Sequence, residues 1–122
     1  MTDRAVVGVT DWRRTKSGLR RLARALDAGR RPAHADYKLN FAGAGDLLAE
    51  ITRERLRLLA TLRAAGPLTV TALAKRLARN YGNVHGDVKR LLALGLVERD
   101  ERKRVVVPWT EIRIQVPLAT AA

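Results

Sequence analysis

The sequence predicts a mainly α-helical protein with a small β component, an α+β fold in which three helices are followed by a β-hairpin. Three observations support this prediction. Apolar residues recur at helical spacing in three successive segments between 52 and 94, a tight turn separates the second segment from the third, and two short β-prone segments follow. With 122 residues, the chain has room for one domain and an appended arm. We divide it into a basic N-terminal arm with an amphipathic helix (1–36) and a folded domain (37–122) with its core at 52–107.

The composition indicates a polyanionic partner. The formal net charge is +12, and 19 of the 24 basic residues are arginine, whose planar guanidinium suits phosphate and guanine. The absence of cysteine excludes disulfides and thiolate metal sites. No apolar run approaches the roughly 18 residues of a membrane span, and the first thirty residues are too charged for a secretory signal. We therefore expect a soluble, cytoplasmic protein.

Residues 1–31 of the arm carry half of the net charge, since they contain nine basic and three acidic residues. Its first segment, 4–11, is β-prone. A stripe with helical spacing follows: Leu19, Leu22, Ala23 and Leu26. Such a helix could contact DNA phosphates, dimerise through its leucines, dock an acidic partner or pack on the core with a solvated basic face.

Alternation of apolar and polar residues predicts a short strand at Tyr37–Phe41, and a short helical segment is expected around Asp46–Ile51. The first helix of the core begins after Thr52, a favourable N-cap, and ends at Gly66-Pro67. Its predicted buried residues are Leu56, Leu59, Ala60 and Leu62.

Thr69 is predicted to cap the second helix, and the segment Ala78–Tyr81 has the length of a helix-turn-helix connection. Asn80 is predicted to cap the third helix, at about 82–94. Apolar spacing assigns these side chains to the core: Leu73, Ala74 and Leu77 on the second helix, and Val84, Val88, Leu91 and Leu92 on the third.

The remaining face of the third helix is polar and basic. In helix-turn-helix proteins, this helix presents its N-terminal residues to base edges in the major groove, where Asn pairs with adenine and Arg or Lys with guanine. Gly86 costs about 1 kcal/mol relative to alanine within a helix, which suits a close approach of the backbone to a partner. We interpret Asp87 as an intramolecular partner of an arginine rather than a DNA contact.

The sequence predicts a β-hairpin directly after the third helix, with strands at Leu96–Arg99 and Arg104–Val107 and a charged tip. A hairpin in this position is a wing. Residues 66–104 contain nine basic and four acidic residues. The complete pattern is that of a winged helix-turn-helix. The candidate DNA contacts are Thr69, Asn80, Tyr81, Asn83, His85, Gly86, Lys89, Arg90, Arg99, Arg102, Lys103 and Arg104.

Several motifs carry a family resemblance: Thr-Arg-Glu-Arg-Leu-Arg-Leu-Leu (52–59), Gly-Pro-Leu-Thr (66–69), Asn-Val-His-Gly-Asp-Val (83–88), Leu-Gly-Leu-Val-Glu (94–98) and Val-Pro-Trp (107–109). Over about 41–116 the chain resembles predicted prokaryotic winged helix-turn-helix regulators of the MarR-like or ArsR-like kind. Members are often antitoxins of type II toxin–antitoxin systems, so the resemblance implies a toxin partner. In that family a basic residue more often precedes the third-helix Asp. Gly86 stands there instead, which removes one expected phosphate contact.

The segment Glu111–Val116 alternates and predicts a closing strand. We hypothesise that it pairs with Tyr37–Phe41, within the chain or across a dimer, and that its free edge is open to a partner such as a toxin.

Two functions are compatible with these patterns. The leading hypothesis is a homodimeric, sequence-specific regulator of double-stranded DNA that represses its own gene. The alternative is an antitoxin-type interaction module in which DNA binding is secondary. We do not expect an enzyme or a cofactor, because the sequence has no phosphate-binding glycine loop, no pair of carboxylates at a plausible catalytic spacing and no nucleophile motif. Few aromatic side chains are present to stack unpaired bases, which argues against RNA.

Overall fold

The computed structural model describes residues 4–10 and 36–118, which fall into two compact units, 1–48 with 112–122 and 49–111. In chain order the elements are β1 (Arg4–Val9), β2 (Tyr37–Phe41), α1 (Ala44–Glu50), α2 (Arg53–Ala65), α3 (Val70–Leu77), α4 (Tyr81–Ala93), β3 (Glu98–Arg99), β4 (Val105–Val106) and β5 (Glu111–Ile114). The predicted arm helix lies outside the described residues, so its existence and the boundary at 36 stay predictions. No described helix has the length and apolar character needed to cross a membrane.

The first unit contains a three-stranded sheet in the order β2-β1-β5. Strand β1 runs parallel to β2, with Ala5 opposite Tyr37, and the backbone N–H of Gln115 donates to the carbonyl of Val7 at 2.8 Å. The hypothesis that the closing strand pairs with Tyr37–Phe41 within the chain is therefore wrong. The central place goes to β1, whose Ala5 and Val7 are fully buried, while β2 alternates between half-buried and exposed residues.

The second unit begins with α2, whose predicted N-cap is confirmed. The hydroxyl of Thr52 accepts a hydrogen bond from the backbone N–H of Arg55 at 3.2 Å. The predicted buried stripe is partly wrong, because Leu58, rather than Leu56, joins Leu59 and Leu62 in the core. Ala60 is also exposed. Leu58 and Leu62 lie one helical turn apart on one side of Leu59, which turns Leu56 to the edge, where it is 40% exposed.

The helix-turn-helix connection is confirmed. Gly66 ends α2 with a φ of +86°, and Thr69 caps α3 by accepting from the backbone N–H of Ala72. Ala78 then takes a left-handed conformation at the end of α3, and Asn80 caps α4. These local bonds satisfy N–H groups that helix ends leave unpaired.

The core of the second unit contains the residues predicted on α3 and α4, with Leu92 only half-buried. The hairpin of β3 and β4 follows α4, and a bridge from Leu68 to Val105 ties it to the segment before α3. The indole N–H of Trp109 donates to the carbonyl of Gly95 at 3.2 Å, which fixes the chain behind the hairpin. Three helices and this hairpin form the predicted winged helix-turn-helix.

Candidate nucleic-acid interface

The exposed face of α4 is built by its spacing and its cap. Val84, Val88 and Leu91 are fully buried on the opposite side. The carboxamide of Asn80 accepts from the backbone N–H of Asn83 at 3.3 Å and fixes the first turn. The exposed residues are Tyr81, Gly82, Asn83, His85, Gly86, Lys89 and Arg90. All the residues predicted to face away from the core therefore do so.

The first turn of this face carries a stacked pair of rings. The ring centroids of Tyr81 and His85 are 5.7 Å apart with an interplanar angle of 22°. Tyr81 is 52% exposed, so the stacked rings form a polar, aromatic surface at the start of the helix. Phenol and imidazole both offer donors and acceptors there.

Lys89 and Arg90 are neighbours but differ in their contacts. Lys89 forms no ion pair with any carboxylate in the described parts of the chain. Arg90 donates from Nε to Oε2 of Glu50 at 2.8 Å and from Nη2 to Oε1 at 2.5 Å. This forked hydrogen bond lowers the pKa of Glu50 against the opposing effect of burial, so the carboxylate is ionised when it holds Arg90.

The ion pair of Glu50 is one end of a network. Glu50 also accepts from Nη1 of Arg55 at 3.0 Å, and Nε of Arg55 donates to Asp87 at 3.1 Å. Asp87 in turn accepts from Nη2 of Arg79 at 2.9 Å, while Nε of Arg79 lies 3.6 Å from Glu54. The prediction that Asp87 pairs with an arginine is thus confirmed, with two arginines. The network joins α4 to α2 and to the turn before α4, and so orients the exposed face.

The wing tip is organised by Asp100. Its carboxylate accepts from the backbone N–H groups of Arg102 at 2.9 Å and Arg104 at 2.8 Å, and from Nε of Arg104. Partial burial raises the pKa of Asp100, but the hydrogen bonds from Arg104 and Arg102 outweigh it and hold the pKa below its usual value. Arg104 is therefore paired within the tip, and the exposed basic side chains there are Arg99, Arg102 and Lys103.

The sequence-predicted site residues thus separate into two groups. Arg90 and Arg104 are held by carboxylates, while Thr69 and Asn80 use their side-chain oxygens as helix caps. The other candidates are exposed on α4 and at the wing tip. Sequence reasoning missed Glu50, because its partner lies 40 residues away and nothing local to Glu50 signals the contact. Among the described residues no cluster of histidine and carboxylate side chains could hold a metal ion.

Comparison with known proteins finds a matching family and a similar solved structure. The model of the HVO_A0114 family matches residues 50–114, which include the helix-turn-helix and the wing. A solved MarR-like transcriptional regulator from Thermotoga maritima is similar, with a TM-score of 0.43 and 20% sequence identity over 80% of this chain. This chain spans 65% of the length of that regulator. No curated protein matches the chain.

Proposed function

We propose that this chain, which belongs to the HVO_A0114 family, is a sequence-specific regulator of transcription that binds double-stranded DNA. In this proposal α4 enters the major groove and the wing at 96–107 contacts the DNA backbone or the minor groove. The proposal depends on one observation above all. The exposed face of α4 carries polar and basic side chains. Among them is Lys89, which forms no ion pair with a carboxylate of the residues that the structure describes.

The chemistry of this face suits base edges. Asn83 can pair with the N6 and N7 groups of adenine, and Lys89 can donate to O6 and N7 of guanine. Gly86 lies between them on the exposed surface, and a Cβ added there would meet no atom within 4 Å. Nothing in the described fold therefore requires glycine at this position. A closely approaching DNA backbone or base edge would.

The wing supports the same proposal by its charge. The turn fixed by Asp100 leaves Arg102 and Lys103 exposed at the tip, and Lys103 has a φ of +61°, which makes the reversal tight. Exposed cations at a rigid tip are suited to phosphate contacts, which position a protein without reading sequence.

We further propose that the regulator acts as a homodimer on an operator upstream of its own gene. One helix-turn-helix reads only a few base pairs, and specific affinity in this class of fold usually comes from two symmetric half-sites about one helical turn apart. Footprinting on the upstream DNA is expected to show two protected half-sites at that spacing.

The test is binding of the purified chain to its own upstream DNA and to a shuffled duplex, across about 50–200 mM salt. Base readout predicts a preference of about a thousandfold or more for the native duplex, on top of a steep salt dependence shared by both. Equal, weak binding to the two duplexes would refute sequence-specific regulation.

Replacing Gly86 by alanine is expected to change stability and DNA binding in opposite directions. The folded protein should gain up to about 1 kcal/mol, because alanine is the better helix former and its Cβ enters open space. Affinity for the native duplex should fall if DNA approaches the backbone at this point. Urea denaturation and duplex titration measure the two effects.

The matched control for the effect on stability is Gly82→Ala in the same helix. A Cβ there would lie 3.1 Å from the side-chain oxygen of Asn80 and disturb the cap, so a smaller gain in stability is expected. Unchanged DNA affinity in a stabilised Gly86→Ala variant would rule out close approach at Gly86.

A further inference from the structure

We propose that Glu50 stands in for a DNA phosphate on Arg90 and thereby limits the sequence-independent part of DNA binding by α4. This inference rests on the proposed function and assigns a specificity role to a residue that lies outside the exposed face of α4. It also separates the two adjacent cations of α4, with Lys89 available to DNA and Arg90 withheld from it.

The geometry of the pair is that of a guanidinium bound to an oxyanion. Two nitrogens of Arg90 donate to the two oxygens of Glu50, the same forked arrangement in which arginine binds a phosphate group. The Arg90 side chain is nevertheless 45% exposed, so it lies at the surface that DNA would approach. A phosphate must therefore displace Glu50 or remain without this contact.

Glu50 is itself held in place. Its carboxylate accepts from Nη1 of Arg55, and its backbone carbonyl accepts from the same nitrogen at 2.9 Å. Because Arg55 anchors both groups, Glu50 does not swing away without breaking further bonds. The side chain of Glu50 is only 25% exposed, which strengthens its attraction to Arg90 relative to a fully solvated pair.

The consequence for binding follows from counterion release. Each neutralised phosphate contributes about 0.9 to the slope of log affinity against log salt, whatever the sequence. An Arg90 already paired with Glu50 contributes no such contact. The sequence-independent background is lower by one phosphate, and the base contacts of the other α4 residues make up a larger share of the total.

The network supplies a matched control. In Glu50→Gln, Arg55 keeps Asp87 as a partner, so Arg90 is the cation that is released. In Glu54→Gln, Arg79 likewise keeps Asp87, and no α4 cation is released. Both variants remove one negative charge from the same network, but only the first frees Arg90.

The experiment measures binding of wild type, Glu50→Gln, Glu54→Gln and the double variant Glu50→Gln/Arg90→Ala to the native and shuffled duplexes across salt. For Glu50→Gln we expect about three- to tenfold tighter binding to the shuffled duplex and a salt slope steeper by about one. The affinity of Glu50→Gln for the native duplex should rise by no larger a factor than its affinity for the shuffled duplex. Glu54→Gln and the double variant should keep the wild-type slope.

An unchanged slope in Glu50→Gln would overturn the inference while leaving the proposed function intact, as would a steeper slope that persists in the double variant. Failure of the wild type to bind either duplex would overturn both. A second measurement requires no variant: the NMR signal of the Arg90 Nε–H should stay at its position when wild type binds the shuffled duplex. A shift of that signal would show that phosphate displaces Glu50.

Discussion

Replacing Asp87 by alanine is expected to lower the free energy of unfolding by about 2–3 kcal/mol. The carboxylate accepts from both Arg55 and Arg79, and all three side chains are no more than 20% exposed. Alanine would leave two largely buried guanidinium groups with fewer acceptors. Arg79 is the more sensitive, because its buried Nη1 already has no acceptor among the described residues. Urea denaturation of the purified variant measures the loss.

Two controls separate the network from a general effect of substitution. Asp87→Asn keeps the shape and one acceptor and should cost less than Asp87→Ala. Glu101→Ala removes an exposed carboxylate at the wing tip and should stay within about 0.5 kcal/mol of wild type. An Asp87→Ala variant as stable as Glu101→Ala would mean that the network contributes nothing to stability.

Replacing Lys89 by alanine is expected to weaken binding to the native duplex by about 10- to 100-fold, the usual effect of losing one specific base contact. Stability should stay within about 0.5 kcal/mol, because the Lys89 side chain is exposed and has no ion-pair partner among the described residues. Titration with labelled duplex and urea denaturation measure the two effects.

Lys38→Ala is the matched control, since it removes the same charge from an exposed position on β2, outside the winged helix-turn-helix. A loss of affinity no larger than that of Lys38→Ala would assign Lys89 to the general charge of the protein and remove it from base readout.

The contrast between Lys89 and Arg90 shows the limit of reasoning from helical spacing. Spacing correctly places both on the exposed side of α4. It carries no information on whether an exposed cation is already bound, which depends on Glu50, brought from another helix by the fold. The wing shows a similar limit. The pattern that predicts the hairpin does not reveal that Asp100 binds Arg104, although the two residues are only four positions apart.

The sequence by itself determined the helix caps and the order of the helices and the hairpin, which depend on residues close together in the chain. The caps at Thr52, Thr69 and Asn80 were predictable because each is a side chain that bonds a backbone N–H three residues ahead. The order of three helices and a hairpin, and the buried residues of α3 and α4, follow from periodicity in the same way.

Only the tertiary structure decided which distant segments meet. It placed β1 between β2 and β5 and brought Glu50 into contact with Arg90, 40 residues away in the sequence. Packing also buried Leu58 rather than Leu56. Periodicity identifies the face that an element buries, but the partner of that face is selected by the packing of the whole domain. Pairing between charged side chains far apart in the chain follows from that packing and has no signal of its own in the sequence.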